Sequence, residues 1–302
     1  METLDRLAAL IERNTREDGT HVTAIRGLWL MRSSRPTEPL HGVAEPSLCL
    51  VAQGRKRAML GEGIFEYDRH RYLLVSADLP IVGHIVEASA ERPYLCARLA
   101  LNRKSLSALM LELAGNARLP VPQGTPPGLM LTPVAPELVD AMARLVALLG
   151  EPGDIAMLAP LIEREILYRL LTGDQHAQAR HIALGDGRLS QVNRAIGWIR
   201  RHFAEPFRID AVAAEAGMSA SSLHQHFRAV TAMSPLQYQK RIRLQEARRL
   251  IMAEGTDAAQ AGFAVGYESP SQFSREYARL FGAPPLRDVT RLRSDPEYGL
   301  VA

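Results

Sequence analysis

Apolar and polar residues alternate with two different periods along this chain of 302 residues. Near the amino end, apolar residues recur at helical spacing and predict a short helix that ends before Gly19. From residue 25 to about residue 101 they fall instead in short runs such as SLCLVAQ, RAMLG, IFEYD and RYLLVSADLPIVGHIVEAS. Glycine, proline, aspartate and serine separate these runs, as they separate short strands. The first third of the sequence therefore predicts an antiparallel barrel or sandwich.

The middle of the chain changes to helical spacing after a proline-rich segment. Residues 120 to 136 contain six prolines and predict a loop, because proline fits neither a helix interior nor a central strand. The segments PELVDAMARLVALLG and MLAPLIEREILYRLLTG follow and have the apolar spacing of two helices joined by a short loop. They predict a helical hairpin. Residues 173–187 are polar and bounded by glycine, and we interpret them as a linker between two domains.

The last third of the sequence is helical and contains an internal repeat. Each copy has an alanine-rich helix, a turn glycine and a second helix that starts after a serine, in DAVAAEAGMS and in DAAQAGFAVGYES. Self-similarity of this kind indicates one supersecondary unit used twice. Small residues that let two helices cross, followed by a turn glycine, are typical of a helix-turn-helix. The matched pairs include Ser219 with Ser269, Leu223 with Phe273, and Phe227 with Tyr277.

The second helix of each unit has one apolar face and one polar face. In the second copy Pro270 and Leu280 are expected on the apolar face, together with the two aromatic residues. The opposite face carries serine, glutamine, histidine and arginine, which can hydrogen-bond to base edges in the major groove. A solvated helix face has a similar composition, but two matched faces in one chain favour DNA reading. The predicted base-reading residues are Ser221, Ser222, His224, Gln225, Ser271, Gln272, Ser274 and Arg275.

A long helix, SPLQYQKRIRLQEARRLI, lies between the two units and is rich in cations. Some of its arginines, among them Arg248 and Arg249, can contact phosphates or pair with Glu246. A rigid helix of this length would hold two recognition helices at a fixed separation, and successive major grooves lie about 34 Å apart. The predicted phosphate contacts are Arg228, Lys240, Arg241, Arg243 and Arg279.

These motifs resemble the AraC family of transcriptional regulators. LxxHFRxxTxxSPxxYxxxxRLxxARRLI followed by VGYESPSQFSREYARLFGAPP is similar to the double helix-turn-helix signature of that family, over about residues 190 to 290. Upstream, EPSLCLVAQGRKRAMLG, YLLVSADLPIV and APLIEREILYRLLTG resemble its cupin-like amino-terminal domain.

The resemblance implies an α+β protein with an amino-terminal cupin-like antiparallel β-barrel, a helical hairpin and a carboxy-terminal all-α domain with two helix-turn-helix units. The expected domains are residues 1–172 for sensing and dimerisation, a linker at 173–187, and residues 188–302 for DNA binding. The expected partners are double-stranded promoter DNA, a small-molecule effector, a second copy of the chain and, for an activator, RNA polymerase.

Composition narrows the functional classes. Hydrophobic residues make up 47% and charged residues 23%, which is ordinary for a soluble globular protein. From residue 186 onward there are 16 basic against 12 acidic residues, so the excess of positive charge lies in the DNA-binding third. The amino end has no signal-peptide pattern, and no apolar run approaches the roughly 20 residues that cross a bilayer. A cytoplasmic protein without a membrane partner is therefore expected.

Two cysteines, Cys49 and Cys96, are too few for a disulfide framework or a four-cysteine zinc site. The simpler interpretation is that both thiols are buried and inert, and a thiol-sensing role is the alternative.

The main alternative function is a metal-dependent cupin enzyme fused to a DNA-binding domain. Such an enzyme usually needs a His-x-His pair with a later glutamate and histidine. The predicted barrel has only isolated histidines, and two cysteines cannot supply the four-thiolate acceptor of a fused alkyl-transfer repair module. No nucleophile elbow or Walker loop occurs either. We predict no catalytic residue, no metal and no cofactor.

A further alternative is that the front domain only dimerises. The second helix of the hairpin has more apolar residues than one narrow core stripe requires, so a homodimer with paired half-sites is plausible. The predicted dimer contacts are Leu158, Leu161, Ile162, Ile166 and Leu170.

Overall fold

The computed structural model describes residues 2–114, 125–173, 176–183 and 187–293. An antiparallel sheet with flanking helices is followed by an all-helical region, as the α+β prediction requires. One apolar core extends from the first helix through the sheet to the first helix-turn-helix unit, while a second core holds the second unit together.

Within the described parts of the chain, ten strands form one antiparallel sheet in the order β1-β2-β9-β4-β7-β6-β5-β8-β3, with β10 paired to β7. The sheet curves around an internal cavity, so it has the half-barrel form of a cupin-like domain. The predicted runs SLCLVAQ and IFEYD coincide with strands. The strands are β1 (Gly19–Val22), β2 (Leu28–Ser33), β3 (Leu40–Ala44), β4 (Ser47–Gln53), β5 (Arg55–Leu60), β6 (Gly63–Asp68), β7 (Arg71–Val75), β8 (Leu79–Glu87), β9 (Tyr94–Ala100) and β10 (Leu129–Pro133).

Strand β10 corrects the sequence prediction, which had placed a loop over all of residues 120–136. Among the described strands it pairs only with β7, so it lies at an edge, where a strand tolerates proline. Only Pro133, at its last position, belongs to the strand itself. The part of the predicted loop at 120–124 lies outside the described residues.

The helices of the front half confirm the predicted amino-terminal helix and helical hairpin. Leu7 and Ile11 of the first helix are fully buried against the sheet. A helix at residues 103–114 was not predicted from the sequence. These helices are α1 (Glu2–Asn14), α2 (Arg103–Ala114), α3 (Pro136–Ala147) and α4 (Pro152–Thr172).

The segment interpreted as a linker contains helix α5 (His176–Ala183), which packs against α2 and α4. Ala179, Ile182 and Ala183 are buried, and Ser107 Oγ donates a hydrogen bond to the Ala183 carbonyl at 2.6 Å. The middle of the predicted linker is therefore an ordered helix of the front half. The polar composition of this segment gave no sign that these three apolar residues would be buried.

The back half contains the predicted repeat of helices. It consists of α6 (Arg188–Arg201), α7 (Ile209–Ala216), α8 (Ala220–Thr231), α9 (Pro235–Ala253), α10 (Ala258–Ala264), α11 (Pro270–Phe281) and α12 (Pro285–Arg293).

Candidate nucleic-acid interface

The first helix-turn-helix unit consists of α7 and α8. Gly217 lies between them at φ +64°, a left-handed conformation that favours glycine, and Ser219 caps α8 by accepting from the Ser222 amide at 3.2 Å. Leu223 and Phe227 are fully buried, and the Phe227 ring packs edge-on against Tyr238 of α9. These contacts fix α8 on the scaffold and leave its opposite face free.

The second unit, α10 and α11, repeats this construction with tighter packing. A Cβ on Gly262 would lie 2.9 Å from the Phe273 ring, so only glycine lets the two helices approach this closely. Gly266 turns the chain at φ +88°, and a side chain there would meet the Ala204 carbonyl oxygen at 2.0 Å. Ser269 caps α11 by accepting from the Gln272 amide at 3.4 Å.

The structure places the predicted base-reading residues on the outer faces of α8 and α11. Ser222 and Ser274 are half-buried, and the other six are exposed. Arg275 Nε donates to the Ser271 carbonyl of its own helix at 3.3 Å, so its guanidinium is held along the outer face. The prediction was wrong for Pro270, which is exposed because it stands in the first turn of α11, ahead of the core.

The five predicted phosphate contacts differ in their exposure and in the partners of their side chains. Arg228 and Arg279 are exposed and have no hydrogen-bond or ion-pair partner within the described chain. Lys240 pairs with Glu276 at 2.8 Å, and Arg241 is half-buried. These four cations line one cleft, together with Glu62 of the turn between β5 and β6.

Arg243 corrects the prediction, because its guanidinium is directed into the fold. Its nitrogens donate to the carbonyl oxygens of Phe203 at 2.6 Å, Gly266 at 2.8 Å and Glu205 at 2.7 Å. Arg243 therefore fixes the second turn against the loop after α6, and all three of its side-chain nitrogens are engaged by carbonyl groups of the fold.

Two further arginines of α9 form ion pairs with acidic residues of the same chain. Arg248 is buried and donates two hydrogen bonds to Asp288, at 2.8 and 3.0 Å, so it cannot reach DNA. Asp288 is fully buried and also accepts from the Tyr277 hydroxyl at 2.9 Å. Arg249 is exposed and pairs with Glu246, as the sequence allowed.

The half-barrel contacts both helix-turn-helix units. In the first, the Gly128 amide donates to the Val230 carbonyl at 2.9 Å. Strand β3 reaches α9 and the second unit, because Gln245 donates to the Gly42 carbonyl at 3.1 Å and the His41 ring packs edge-on against Phe281 at 5.0 Å. Burial is the main cause that lowers the pKa of His41, and the positive charges of Arg248 and Arg241 lower it further, to about 4. His41 is therefore neutral at pH 7 in this contact.

The half-barrel encloses a cavity of about 120 Å³. Cys49 and Cys96 both line it, and burial raises the pKa of Cys96 to about 12. A protonated thiol is a poor nucleophile, so these positions fit the interpretation of inert thiols better than the redox alternative. Within the described chain, no group of three His, Cys, Asp or Glu side chains is arranged to hold a metal ion.

The predicted dimer contacts lie on different sides of α4. Leu158 and Leu161 are exposed by 41% and 63%, and Ile162 is half-buried. Ile166 and Leu170 are buried within the protomer, so these two were wrong as dimer contacts. They point at the core formed with the front-half helices, which the surplus of apolar residues in the sequence could not distinguish from a second face.

None of the described helices is both long enough and apolar enough to cross a bilayer.

Two family models match this chain. The model of the AraC-type transcriptional regulator N-terminus matches residues 24–178, and a helix-turn-helix domain model matches residues 212–290. The HTH-type transcriptional activator RhaS of Salmonella schwarzengrund is 29% identical over 160 residues, which cover 52% of this chain and 55% of that protein. RhaS of Escherichia fergusonii is 29% identical over 138 residues, covering 42% and 46%. The chain thus spans about half the length of the curated relatives it matches.

Solved structures share the two-part architecture. ToxT of Vibrio cholerae O395 bound to (E)-4-(8-methylnaphthalen-1-yl)but-3-enoic acid matches 90% of this chain and 99% of its own, with a TM-score of 0.58 and 10% identity. Unsaturated fatty acid bound ToxT of V. cholerae strain SCE256 matches 91% and 97%, with a TM-score of 0.57 and 11% identity. At this identity the likeness shows the fold alone. Since the amino-terminal family model covers half of the chain and both halves have the expected architecture, the chain belongs to the AraC family of transcriptional regulators.

Proposed function

We propose that this protein is a sequence-specific DNA-binding transcriptional regulator in which α8 and α11 read successive major grooves. The observation that carries this proposal is the pair of capped helix-turn-helix units with matched polar faces. They are bordered by the cations Arg228 and Arg279, which have no side-chain partner among the residues that the structure describes. Residues 188–302 are the proposed DNA-binding domain and residues 1–172 the sensory domain. The RhaS relatives are transcriptional activators, which favours a regulator over the cupin enzyme and makes RNA polymerase a proposed partner.

Full-length protein should bind promoter DNA with an affinity that falls steeply as salt increases. Each phosphate contact releases condensed counterions, so log K falls with log salt by about 0.9 per neutralised phosphate. Arg228→Ala and Arg279→Ala should each weaken binding to all sequences alike and reduce the slope by about one. Fluorescence anisotropy over a salt series measures both quantities.

The matched control is Arg249→Ala, which removes an exposed cation that already pairs with Glu246 and Glu254. Its salt slope should equal that of the wild type. Equal slopes for all four proteins would show that the outer cations do not touch phosphate.

We also propose that the half-barrel cavity binds a small effector and that β3 carries its signal. Leu40, Gly42 and Val43 of β3 line the cavity, while Gly42 and His41 contact α9 and α11. Among the strands that the structure describes, β3 is at one edge of the sheet and pairs only with β8, so fewer backbone hydrogen bonds hold it than hold a central strand. A ligand that moves β3 therefore acts directly on the second recognition helix.

A dimer is the proposed oligomeric state, through the outer surface of α4. Met157, Leu158 and Leu161 lie within five residues of one another on α4 and are exposed by 74%, 41% and 63%. Large apolar side chains grouped on one surface are typical of an interface. Leu161→Arg should convert a dimer at micromolar concentration into a monomer in sedimentation velocity, because an arginine cannot be desolvated there without a partner. Val22→Arg, at an exposed apolar position on β1, is the control and should leave the dimer intact; a monomeric wild type would contradict the proposal.

A further inference from the structure

Strand β5 carries three consecutive cations that meet two different environments. Successive side chains of a strand point to opposite faces. Arg55 and Arg57 lie on the outer face, where Arg55 pairs with Glu87 at 2.9 Å and Arg57 pairs with Glu66. Lys56 lies on the inner face, lines the cavity, and has no hydrogen-bond or ion-pair partner among residues the structure describes. The outer cations are neutralised, and the inner one is not.

A second cation faces the same cavity from β9. The Arg98 guanidinium lies over the Trp29 ring, with its central carbon 4.2 Å from the ring centroid. Its Nε is buried and makes no hydrogen bond within the described chain. Buried polar atoms are nearly always paired, so the Arg98 Nε and the Lys56 amine, both without a partner in the described chain, point to a missing acceptor at this cavity.

The charge around the cavity is unbalanced. Among the described lining residues, Asp18 is the only acid, and it already accepts from the Ser34 amide at 2.8 Å and lies 3.4 Å from Arg32. Burial lowers the pKa of the Lys56 amine, because a cation is stabilised less in the sheet interior than in water. No described residue that lines the cavity therefore neutralises the positive charges of Lys56 and Arg98.

We propose that the effector is a compact organic carboxylate, which places its carboxylate between Lys56 and Arg98 and its apolar body against the remaining cavity wall. This inference rests on the proposed function, since it specifies the ligand of the proposed effector site. The cavity lining also includes apolar side chains, among them Leu73, Val75 and Ile81. The cavity of about 120 Å³ is close to an engineered cavity of roughly 150 Å³ that binds benzene. The ligand therefore has about one ring or a short chain.

Calorimetric titration of the full chain without DNA tests this class of ligand. The probes are benzoate, cyclohexanecarboxylate and hexanoate, each compared with its uncharged amide. At least one acid should bind ten or more times more tightly than its amide, because only the acid supplies the missing negative charge. Lys56→Met should weaken that acid at least tenfold and leave the amide unchanged, whereas Lys56→Arg should retain most of the affinity. Arg57→Met, at the neighbouring outward position, is the matched control and should bind the acid like the wild type.

Three results would overturn the proposal. Acids and amides that bind the wild type equally would remove the role of charge, even if Lys56→Met failed to fold. An acid affinity unchanged in a folded Lys56→Met protein would remove the role of this lysine. Six probes that all fail to bind would exclude the compact carboxylate class. DNA binding is measured separately, so each of these failures is distinguishable from a failure of the proposed regulator function.

Discussion

Asp288→Ala is expected to destabilise the DNA-binding half by about 3–5 kcal/mol, the usual effect of removing one partner of a buried ion pair. Asp288 is fully buried, and its carboxylate accepts from Arg248 of α9 and Tyr277 of α11. Without it, the Arg248 cation stays buried with its main counter-charge removed. The recognition helix α11 then loses the hydrogen bond from Tyr277 that links it through Asp288 to α9 and α12, so DNA binding falls together with stability.

Urea denaturation followed by circular dichroism measures this change. Glu246→Ala is the control, because it breaks the exposed pair with Arg249 on the same helix and should cost no more than about 1 kcal/mol. The double variant Arg248→Met/Asp288→Leu should recover part of the stability, since two apolar residues leave no buried charge. An unfolding midpoint of Asp288→Ala equal to that of the wild type would contradict the assigned role of the pair.

Arg275→Ala is expected to cost about 1–3 kcal/mol at one base pair of the operator and to relax the preference there. Arg275 is exposed near the amino end of α11, and none of its contacts with described residues is an ion pair. The neighbouring Glu276 is occupied by Lys240 and Tyr267, so it does not compete for the Arg275 guanidinium. A guanine is the expected base, because its edge presents two acceptors to a guanidinium.

Gln225→Ala should have the same kind of effect at a second position, one reading adenine, because Gln225 occupies the equivalent place on α8. Affinities for a set of operators with single base-pair changes measure both variants. Arg279→Ala is the control, as it should weaken every operator equally. If Arg275→Ala and Gln225→Ala also weaken every operator equally, both residues are phosphate contacts and the assignment of the helix faces is wrong.

The features predicted correctly from the sequence are those with local causes. The caps at Ser219 and Ser269 and the turn at Gly217 depend on residues within one or two turns of the chain, and all three occur as predicted. The apolar spacing that buries Phe227 and Tyr277 is also local, because a helix repeats every 3.6 residues. These signals were sufficient to place the recognition helices and their outer faces.

The features that the sequence could not supply depend on contacts between distant residues. Arg243 and Arg279 are the same residue type on neighbouring helices, yet Arg243 is held by carbonyl groups from the loop after α6 and Arg279 is exposed. Ile166 and Leu161 belong to the same pattern of apolar residues along α4, but only Ile166 is buried in the core of the front half. In the sequence, Lys56 is one of three adjacent basic residues. Only the folded sheet shows that Lys56 faces the cavity.

Selection of bound duplexes from a randomised DNA library by the purified full chain tests the central claim most directly. If α8 and α11 read successive major grooves on one face of the duplex, the selected sequences should contain two preferred blocks whose centres lie about 10–10.5 base pairs apart. Selected sequences with no preference, or with a single block, would contradict an account in which both helix-turn-helix units read DNA.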